Sequence, residues 1–341
     1  MPNLEMVPCP LCKNCTKFLP VFKMIDNDPS RYKKLFDGKR RSSWNICGQC
    51  GFVYQNPRPS AAAMDRFYLN SEYHSPSKAP YNRENYSEFA QWYYEDKTNY
   101  ILENLKIQNG KVFDIGFGYG GFLKQFKDKG WTTYGVEADK NLFGFAKENL
   151  DLDHLQQNIL DEKIKLDSKM DLVISNHAFE HFANFEQIMG GITKILKPGG
   201  FIFSVVPTYF KNRSSVSWQG MNFGHLSSFT HQSFNQLFSY YGFEEVKHTY
   251  RGWTKEIDDV WHLTQFTGVK KDPKTFYENP QKVSRYLHVV NPINTAIYSP
   301  VYSFYAKRIY YKNLVARRLN LLLKDPQAFR FKLKNYIKRH L

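Results

Sequence analysis

The stretch VFDIGFGYGGFL places glycines at the spacing of a loop that binds a nucleotide-like ligand. Gly116, Gly118 and Gly121 fit G-x-G-x-x-G, the loop that cradles a phosphate in dinucleotide-binding proteins. A second pattern, D-x-G-x-G-x-G, begins at Asp114 and uses Gly120 in place of Gly121. That loop has no phosphate to hold, so the two patterns imply different ligands.

Two carboxylates favour the second pattern. Asp114 stands two residues before the first glycine, where it would repel a phosphate but attract an ammonium or a sulfonium. Glu137 ends the next predicted strand, where a carboxylate can accept hydrogen bonds from both hydroxyls of a ribose. A ribose with a nearby ammonium and no phosphate describes S-adenosylmethionine. The alternative is that the glycines only make a tight turn between a strand and a helix.

The cysteines form a second candidate site. The segments CPLC and CGQC are two C-x-x-C pairs, and they predict a four-thiolate zinc site at Cys9, Cys12, Cys47 and Cys50. A redox-active pair is the rival interpretation, but such pairs occur singly on a strand–helix–strand unit. Four thiolates leave no open coordination position, so the metal is expected to organise the fold. Cys15 is the surplus thiol.

Composition and charge limit the partners. The chain of 341 residues has 47 Lys and Arg against 32 Asp and Glu, a formal charge of +15. Residues 251–341 hold 18 of these bases and 6 of the acids, so they contribute +12. A nucleic-acid footprint over the whole protein is therefore not indicated. No secretory signal and no apolar run of membrane-spanning length is visible, which predicts a reduced, cytoplasmic protein.

The elements that position these residues are predicted from the apolar pattern. A tyrosine-rich stretch becomes helical from about Arg83, and short apolar strands alternate with helices after Gly110. Such alternation predicts an α/β fold, a parallel sheet with helices on both faces. Beyond about Trp253 the pattern is helical and basic. The predicted units are a zinc-ribbon module, lid or linker helices, the α/β domain and a basic helical extension: 1–58, 59–109, 110–250 and 251–341.

Five segments in order carry a resemblance to a known family. They are VFDIGFGYGGFL, YGVEAD, MDLVISNHAFEHFAN, LKPGGFIFSVVP and GHLSSFTHQSFNQLFSYYGFE. Together they resemble the class I S-adenosylmethionine-dependent methyltransferases, which have a Rossmann-like sheet. The paired C-x-x-C segments and VYQNPRP resemble a zinc-ribbon-bearing subgroup that includes deoxysugar C-methyltransferases and enzymes of bacterial polysaccharide clusters. The resemblance covers residues 9–250 and leaves the last 90 residues unmatched.

The resemblance implies which positions hold the cofactor. Asp114 would hold the methionine end together with the backbone of three glycines, Gly116, Gly118 and Gly120. Glu137 would hold the ribose. The remaining positions would flank the adenine or line the cleft near the methyl group, and they are Asn158, Ile159, Asn176 and His177.

The resemblance also implies a base for methyl transfer at His225, in the segment NFGHLSSFT. An oxygen nucleophile near neutral pH needs a base within hydrogen-bond reach. Phe229 fits the family pattern, but Gly224 stands where the sugar C-methyltransferases carry a glutamate, which weakens the case for C-methylation. The alternative is a structural histidine that bonds the turn at Ser227 and Ser228.

The segment HAFEH, from His177 to His181, matches the inverted metalloprotease motif H-x-x-E-H. It follows a predicted strand inside the cofactor fold and shows no evident third ligand. The family pattern explains the same letters without a metal. We expect His181 to pack beneath the cleft or to touch the substrate.

Two further groups are candidates for substrate binding. Tyr81, Arg83 and Tyr86 precede the first core strand, where the family places a lid helix, and they could hold substrate or the cofactor carboxylate. Lys211 and Arg213 follow the fifth strand and could hold a diphosphate or an acidic sugar. The alternatives are aromatic packing for the first group and solvated loop charge for the second.

The sequence thus predicts a methyltransferase that acts on a sugar hydroxyl of a nucleotide sugar or a bacterial surface glycan. Competing hypotheses are an RNA or protein methyltransferase and a non-catalytic adaptor that retains the fold. Residues 301–341 carry eleven bases and one acid, Asp325, and the segment YAKRIYYKNLVARRLNLLL within them is predicted to form an amphipathic helix. That helix either packs on the catalytic domain or contacts an anionic membrane surface, which would place the protein at the inner face of the membrane.

Overall fold

The computed structural model describes residues 3–13, 16–25, 32, 35–38, 41–70, 83–105, 107–161, 164–208, 221, 224–251 and 259–289. Five predicted features lie outside this part of the chain, namely Cys15, Tyr81, Lys211, Arg213 and the basic segment 301–341. Arg83 and Tyr86 lie in a helix, at positions where only the backbone is described. In the described part of the chain, no helix has both the length and the apolar composition needed to cross a membrane.

The strands fall into an N-terminal group and a later group. The N-terminal strands are β1 (Leu4–Glu5), β2 (Phe18–Ile25), β3 (Arg41–Cys47), β4 (Val53–Gln55) and β5 (Arg58–Pro59). The later strands are β6 (Lys111–Ile115), β7 (Thr132–Glu137), β8 (His154–Gln157), β9 (Met170–Asn176), β10 (Leu196–Pro207), β11 (Ser227–Ser228), β12 (Phe243–Arg251) and β13 (Asp259–Phe266).

The helices connect these strands. They are α1 (Ala61–Leu69), α2 (Arg83–Asn104), α3 (Gly121–Lys127), α4 (Lys140–Asn149), α5 (Phe185–Ile195), α6 (His231–Tyr240) and α7 (Pro280–Val289). Short 3₁₀ turns lie at Phe179–His181 and Pro273–Phe276. The start of α2 at Arg83 confirms the helix predicted there from the sequence.

A seven-stranded mixed sheet, in the order β12-β13-β10-β9-β6-β7-β8, forms the centre of the fold. The strands from β10 to β8 are mutually parallel, and β13 runs antiparallel between β10 and β12. The predicted Rossmann-like α/β sheet is therefore confirmed. The chain winds outward from β6 toward β8 and then returns to β9 on the other side of β6. Ligands of such sheets bind where the strand order reverses, outside the carboxyl ends of the strands.

Alternate strand residues pack against helices on opposite faces of this sheet. One core contains Phe113, Val173 and Ile202 together with apolar residues of α5 and α6. The other contains Leu172 and Phe203 with residues of α2, α3 and α4. Burial on both faces explains why these strands are nearly continuous apolar runs in the sequence. The sheet is consequently a rigid support for the loops at its carboxyl edge.

The N-terminal cysteine module is built into the domain rather than appended to it. A four-stranded sheet in the order β11-β4-β3-β2 pairs β4 of the module with β11, which follows His225. Gln55 donates from Nε2 to the carbonyl of His225 at 2.5 Å, and its backbone N–H donates to Leu226. Arg58 donates to the carbonyl of Ala183 at 2.7 Å. The module therefore holds two loops of the catalytic edge in place.

The predicted end of the α/β domain at residue 250 and the helical pattern beyond it are wrong for the segment that follows. Asp259–Phe266 is strand β13, and it inserts between β10 and β12 in the central sheet. Six of its eight residues are buried, including the polar Asp259, His262 and Thr264, so the usual expectation that polar residues of a strand face solvent does not identify it. The sheet requires residues from the predicted extension.

Candidate active site

A cleft of about 320 Å³ opens at the carboxyl ends of β6, β7 and β9. This is the point at which the strand order reverses, as expected for a ligand site of an open α/β sheet. Most of the predicted cofactor positions line it. They are Asp114, Gly116, Gly118, Glu137, Asn158, Ile159, Asn176 and His177. The sequence-derived set thus converges on one cavity.

Asp114 lies at the end of β6 with a side chain that is almost completely buried. Its Oδ1 atom has no hydrogen-bond partner among the described residues. Burial raises the pKa of Asp114 well above its usual value, and the nearby charge of Glu137 raises it further, against one backbone hydrogen bond from Ile115. A buried carboxylate with an unmatched oxygen is costly unless a ligand completes it. An ammonium group in the cleft would do so.

Glu137, at the end of β7, is held by two backbone N–H groups. Gly118 donates to Oε2 at 2.8 Å and Asp139 donates to Oε1 at 2.9 Å. Gly118 has a φ of +57°, and a Cβ on it would meet no atom within 4 Å. The glycine is therefore needed for backbone conformation, and the turn it makes orients the carboxylate. These two bonds fix the carboxylate at the wall of the cleft, where a ligand hydroxyl could donate to it.

Gly120 differs from the role implied by the resemblance. It is absent from the cleft wall and caps α3 with a φ of +83°. A Cβ there would lie within about 3 Å of Leu152, Leu150 and Ala146. The third glycine of the pattern therefore permits a left-handed turn and close packing against α4 and the loop after it. It does not line the cleft.

One wall of the cleft comes from the predicted lid or linker region, 59–109, but from residues that sequence reasoning did not single out. Helix α1 contributes Ala61, Met64, Asp65 and Tyr68, and α2 contributes Tyr94. The sequence had singled out Tyr81, Arg83 and Tyr86 in this region instead. The available signal was Ser60, whose side chain accepts from the N–H of Ala63 and begins α1 immediately after the turn-rich N-terminal module.

A carboxylate surrounded by histidines borders the cleft. Glu180 is 1% exposed and lies 3.5 Å from Nδ1 of His177 and 3.8 Å from Nε2 of His225. Burial alone would raise the pKa of Glu180, but the hydrogen bond from His177 and the charges of His181 and His225 outweigh it and lower the pKa to about 2. Nε2 of His177 lies 3.3 Å from Asp259, the first residue of β13. Glu180 was not assigned a role from the sequence, although it stands between two assigned residues.

The two predicted catalytic histidines are neighbours but occupy different depths. His181 lines the cleft, whereas His225 lies behind it, outside the cleft wall, with 6% exposure. Their ring centroids are 4.6 Å apart in an edge-to-face contact. Nδ1 of His181 lies 2.8 Å from the carbonyl oxygen of Gly224, which requires the proton on Nδ1 and leaves Nε2 as the acceptor. A neutral ring of His181 would therefore carry its lone pair on Nε2.

The metalloprotease motif is not reproduced in space. Among the described residues, the group of side chains near this motif that could share an ion is Glu180, His181 and His225, which omits His177. His177 instead contacts Glu180 and Asp259. The two histidines of H-x-x-E-H therefore do not act as a ligand pair.

The four predicted cysteine ligands converge. The Sγ atoms of Cys9 and Cys50 are 3.7 Å apart, and those of Cys12 and Cys47 are also 3.7 Å apart. A tetrahedron with Zn–S bonds of about 2.3 Å has sulfur–sulfur edges of about 3.8 Å. All four thiols are buried, and the N–H of Cys50 approaches Sγ of Cys47 at 3.4 Å. The donor set and its spacing fit zinc.

Comparison with known proteins agrees with this geometry. Residues 86–248 match the family model described as a methyltransferase domain. The matched residues are therefore similar to a methyltransferase domain. The match begins inside α2 and ends inside β12, so it covers the cleft residues from Tyr94 onward but not α1, the cysteine module or β13.

Individual relatives are distant. Ubiquinone biosynthesis O-methyltransferase of Rickettsia bellii is 26% identical over 114 residues, which cover 30% of this chain and 47% of that protein. Phosphoethanolamine N-methyltransferase 2 of Caenorhabditis elegans is 30% identical over 112 residues, covering 29% and 26%. The chain thus spans about half the length, or less, of these relatives. A solved 1,6-didemethyltoxoflavin-N1-methyltransferase of Burkholderia thailandensis superposes with a TM-score of 0.48 at 15% identity, covering 63% of this chain and 96% of that one.

Proposed function

We propose that the chain transfers the methyl group of S-adenosylmethionine to an oxygen, and that this oxygen is a sugar hydroxyl of a nucleotide sugar or glycan. The observation that carries the proposal is the buried Glu180 among histidines at the wall of the cleft, one of which, His181, faces the cavity as a base. A hydroxyl nucleophile must lose a proton during the reaction, and this group of side chains can take it.

The cleft fits the cofactor in charge and shape. When bound, S-adenosylmethionine supplies a methyl group on a positively charged sulfur. Asp114 would pair its unmatched oxygen with the ammonium, and Glu137 would accept from the ribose. Asn158 and Ile159 would flank the adenine, and Asn176 and His177 would line the region of the methyl group.

We expect His181 to act as the base and His225 to hold its ring in position. His181 would accept the proton at Nε2, because the carbonyl of Gly224 holds the proton on Nδ1. His225 supports the ring of His181 from behind, and Glu180 stabilises the positive charge that develops. Positioning of the nucleophile in line with the methyl and the sulfur contributes further.

The arrangement of Glu180 and the histidines favours oxygen over nitrogen or carbon as the atom that accepts the methyl group. A neutral amine already presents a lone pair and gains less from a buried base than a hydroxyl does. C-methylation would require a second carboxylate to help form an enolate, and Gly224 occupies the position where the resembling enzymes carry one. The sugar as substrate rests on the resemblance. RNA or protein methylation is the competing function, and RNA is disfavoured because the positive charge is concentrated at the far end of the sequence, in residues 251–341.

A screen tests the proposed substrate. The full chain is incubated with cofactor labelled in the methyl group and with nucleotide sugars, and label in the sugar is measured. Label in a sugar methyl ether supports the proposal. Label recovered only in amines, in RNA or in protein identifies a competing function. The salt dependence of substrate binding separates the two classes of substrate. The affinity for a nucleic acid falls steeply with ionic strength, whereas the affinity for a small nucleotide sugar changes only modestly.

We also propose that the four-cysteine cluster holds structural zinc. The sulfur–sulfur spacing and the burial of all four thiols support this. Protein purified without added metal should contain about one zinc per chain by elemental analysis. Cys9→Ser should lose it, and Cys15→Ser should keep it. The opposite result would show that the ligands are assigned wrongly.

A further inference from the structure

A second group of histidines and a glutamate lies where the start of α6 meets β12 and β13. It comprises His231, at the start of α6, Glu245 and His248 on β12, and His262 on β13. Nε2 of His231 lies 2.5 Å from Oε2 of Glu245, and Nδ1 of His248 lies 2.7 Å from Oε1. We name these four residues the edge cluster, because β12 is the edge strand of the central sheet.

A β-bulge brings two of these side chains to one face. Glu245 and His248 are three residues apart, so in a regular strand they would point to opposite faces of the sheet. The register shifts between Glu245 and Lys247, and as a result Glu245 pairs with Thr264 while His248 pairs with His262. Thr264 and His262 are two residues apart and share a face, so their partners share it as well. Bulges are used to redirect side chains in this way.

We propose that His231, Glu245 and His248 bind a divalent transition-metal ion, with His262 as a positioning residue. The ligand atoms of the first three residues all lie within 4.8 Å of one another. Two imidazoles and a carboxylate suit zinc, cobalt, nickel or copper better than magnesium or calcium, which prefer oxygen ligands alone. The site is therefore distinct in chemistry from the thiolate cluster of the N-terminal module.

The spacing requires only a small adjustment to accept an ion. Nitrogen and oxygen ligands about 2.0–2.1 Å from zinc lie about 3.3 Å from one another in a tetrahedron. The nitrogen–oxygen distances in the edge cluster are shorter, so the carboxylate must retreat by less than about 1 Å. The rings of His231 and His248 are stacked with centroids 3.6 Å apart.

His262 differs from His231 and His248 in its burial and in its role. His262 is fully buried, and its Nε2 lies 3.3 Å from Oε2 of Glu245. Ligating carboxylates are commonly held by such an outer hydrogen bond, which fixes their orientation. The side chains of His231 and His248 are 21% and 35% exposed, so an ion can enter from solvent. Three protein ligands leave a fourth position for water, and exchange of the ion should be rapid.

The test is a zinc titration of the full-length protein, purified without a histidine tag, after its resident zinc has been counted. Wild type should take up one further zinc per chain in calorimetry with a competing chelator. Glu245→Gln and His248→Gln should lose this saturable binding, and His262→Gln should weaken it about 10–100-fold. His154→Gln is the matched control, because His154 lies on β8, the opposite edge strand, and should leave the uptake unchanged.

A second measurement uses unaltered protein, so that a misfolded variant does not decide the outcome. Cobalt added to wild type whose cysteine site is filled with zinc should produce visible bands without thiolate charge transfer. Absence of these bands, uptake of no further zinc by wild type, or equal uptake by Glu245→Gln and wild type would each overturn the proposal. Such a result would make the edge cluster a hydrogen-bonded network alone.

Discussion

The molecule has two groups in which histidines surround one glutamate. The first group includes His225 and the second includes His231, six residues later, and the two groups differ in their access to solvent. In the cleft group Glu180 is 1% exposed and lies between histidines at 3.5–3.8 Å. In the edge cluster the side chain of Glu245 is 24% exposed and approaches its histidines at 2.5–3.3 Å. The residue types are the same, but the surroundings are not.

The difference assigns different chemistry to each group. The cleft group adjoins a cavity lined by a buried carboxylate and apolar side chains. The charges of the cleft group interact strongly with a ligand bound there, because the local dielectric constant is low. The edge cluster adjoins solvent, where water competes with every pair and an ion can exchange. We therefore expect variants of the cleft group to change methyl transfer and variants of the edge cluster to change metal uptake.

The largest expected effect separates the groups by turnover. His181→Ala or His225→Ala should lower turnover about 10²–10⁴-fold, because the base or its support is removed, while affinity for S-adenosylhomocysteine stays the same. His248→Ala in the edge cluster should leave turnover nearly unchanged. Methyl transfer from labelled cofactor to the substrate found in the screen measures this. Near-normal turnover in both cleft variants would remove histidine catalysis from the mechanism.

The next effect concerns stability in acid. The pKa of Glu180 is lowered from 4.5 to about 2, so its ionised form adds stability above pH 4.5, and this is lost as the pH falls through 2. Glu180→Gln should therefore cost on the order of 3 kcal/mol at pH 7, with the difference shrinking as the pH falls below 4. Urea unfolding at pH 7 and pH 3 measures it. The pKa of Glu245 is lowered as well, because hydrogen bonds from His231 and His262 outweigh burial, but its side chain is 24% exposed and solvent screens its pairs. Glu245→Gln should therefore cost less than Glu180→Gln, and equal losses would contradict the comparison.

A smaller effect tests whether the cleft holds the proposed cofactor. Asp114→Ala should weaken binding of S-adenosylhomocysteine by about 1–3 kcal/mol, the cost of an unmade charged hydrogen bond. Calorimetry measures this, with NAD expected not to bind. Asp128→Ala is the control, because that carboxylate is exposed at the far end of α3. Saturable binding of NAD in place of S-adenosylhomocysteine would reject the cofactor.

The smallest effect concerns the residue that joins the two groups. Thr230 caps α6 and accepts from the N–H of Ser233, while its hydroxyl donates to Glu278 at 2.5 Å. Thr230→Ala should lower the free energy of unfolding by about 1 kcal/mol, and Thr230→Ser should restore most of it. A loss of turnover far beyond the loss of stability would show that the two groups are coupled through the cap.

The fold was predictable where local pattern and tertiary structure agree. Strands β6, β9 and β10 and the helices between β6 and β10 follow from apolar periodicity and glycine turns, because these strands are buried and the helices have an apolar face. The start of α2 at Arg83 and the Rossmann-like α/β sheet were confirmed in this way, whereas the antiparallel strand β13 makes mixed a sheet that was predicted to be parallel. β13 was not predicted, since its polar residues Asp259, His262 and Thr264 are buried and its place in the sheet depends on non-local pairing.

The candidate site likewise contains residues that local spacing predicts and residues that only long-range contacts bring together. Asp114, Glu137 and the first two glycines of the loop are fixed near one another by a single strand–turn–helix–strand unit, so their types and spacing alone located the cleft. The contacts of Glu180 with His225 and of His177 with Asp259 join segments far apart in the chain. No spacing rule encodes such pairs.

What the sequence by itself determined was the chemistry available: a carboxylate and glycine loop for a cationic cofactor, and four thiols at metal-binding spacing. The tertiary structure alone decided which histidine faces the cleft, that the cysteine module holds the loop of His225 through Gln55, and that Glu245 and His248 share a face. The physical reason is that residue type and short spacing follow from covalent geometry, whereas burial and long-range pairing arise only when the sheet assembles.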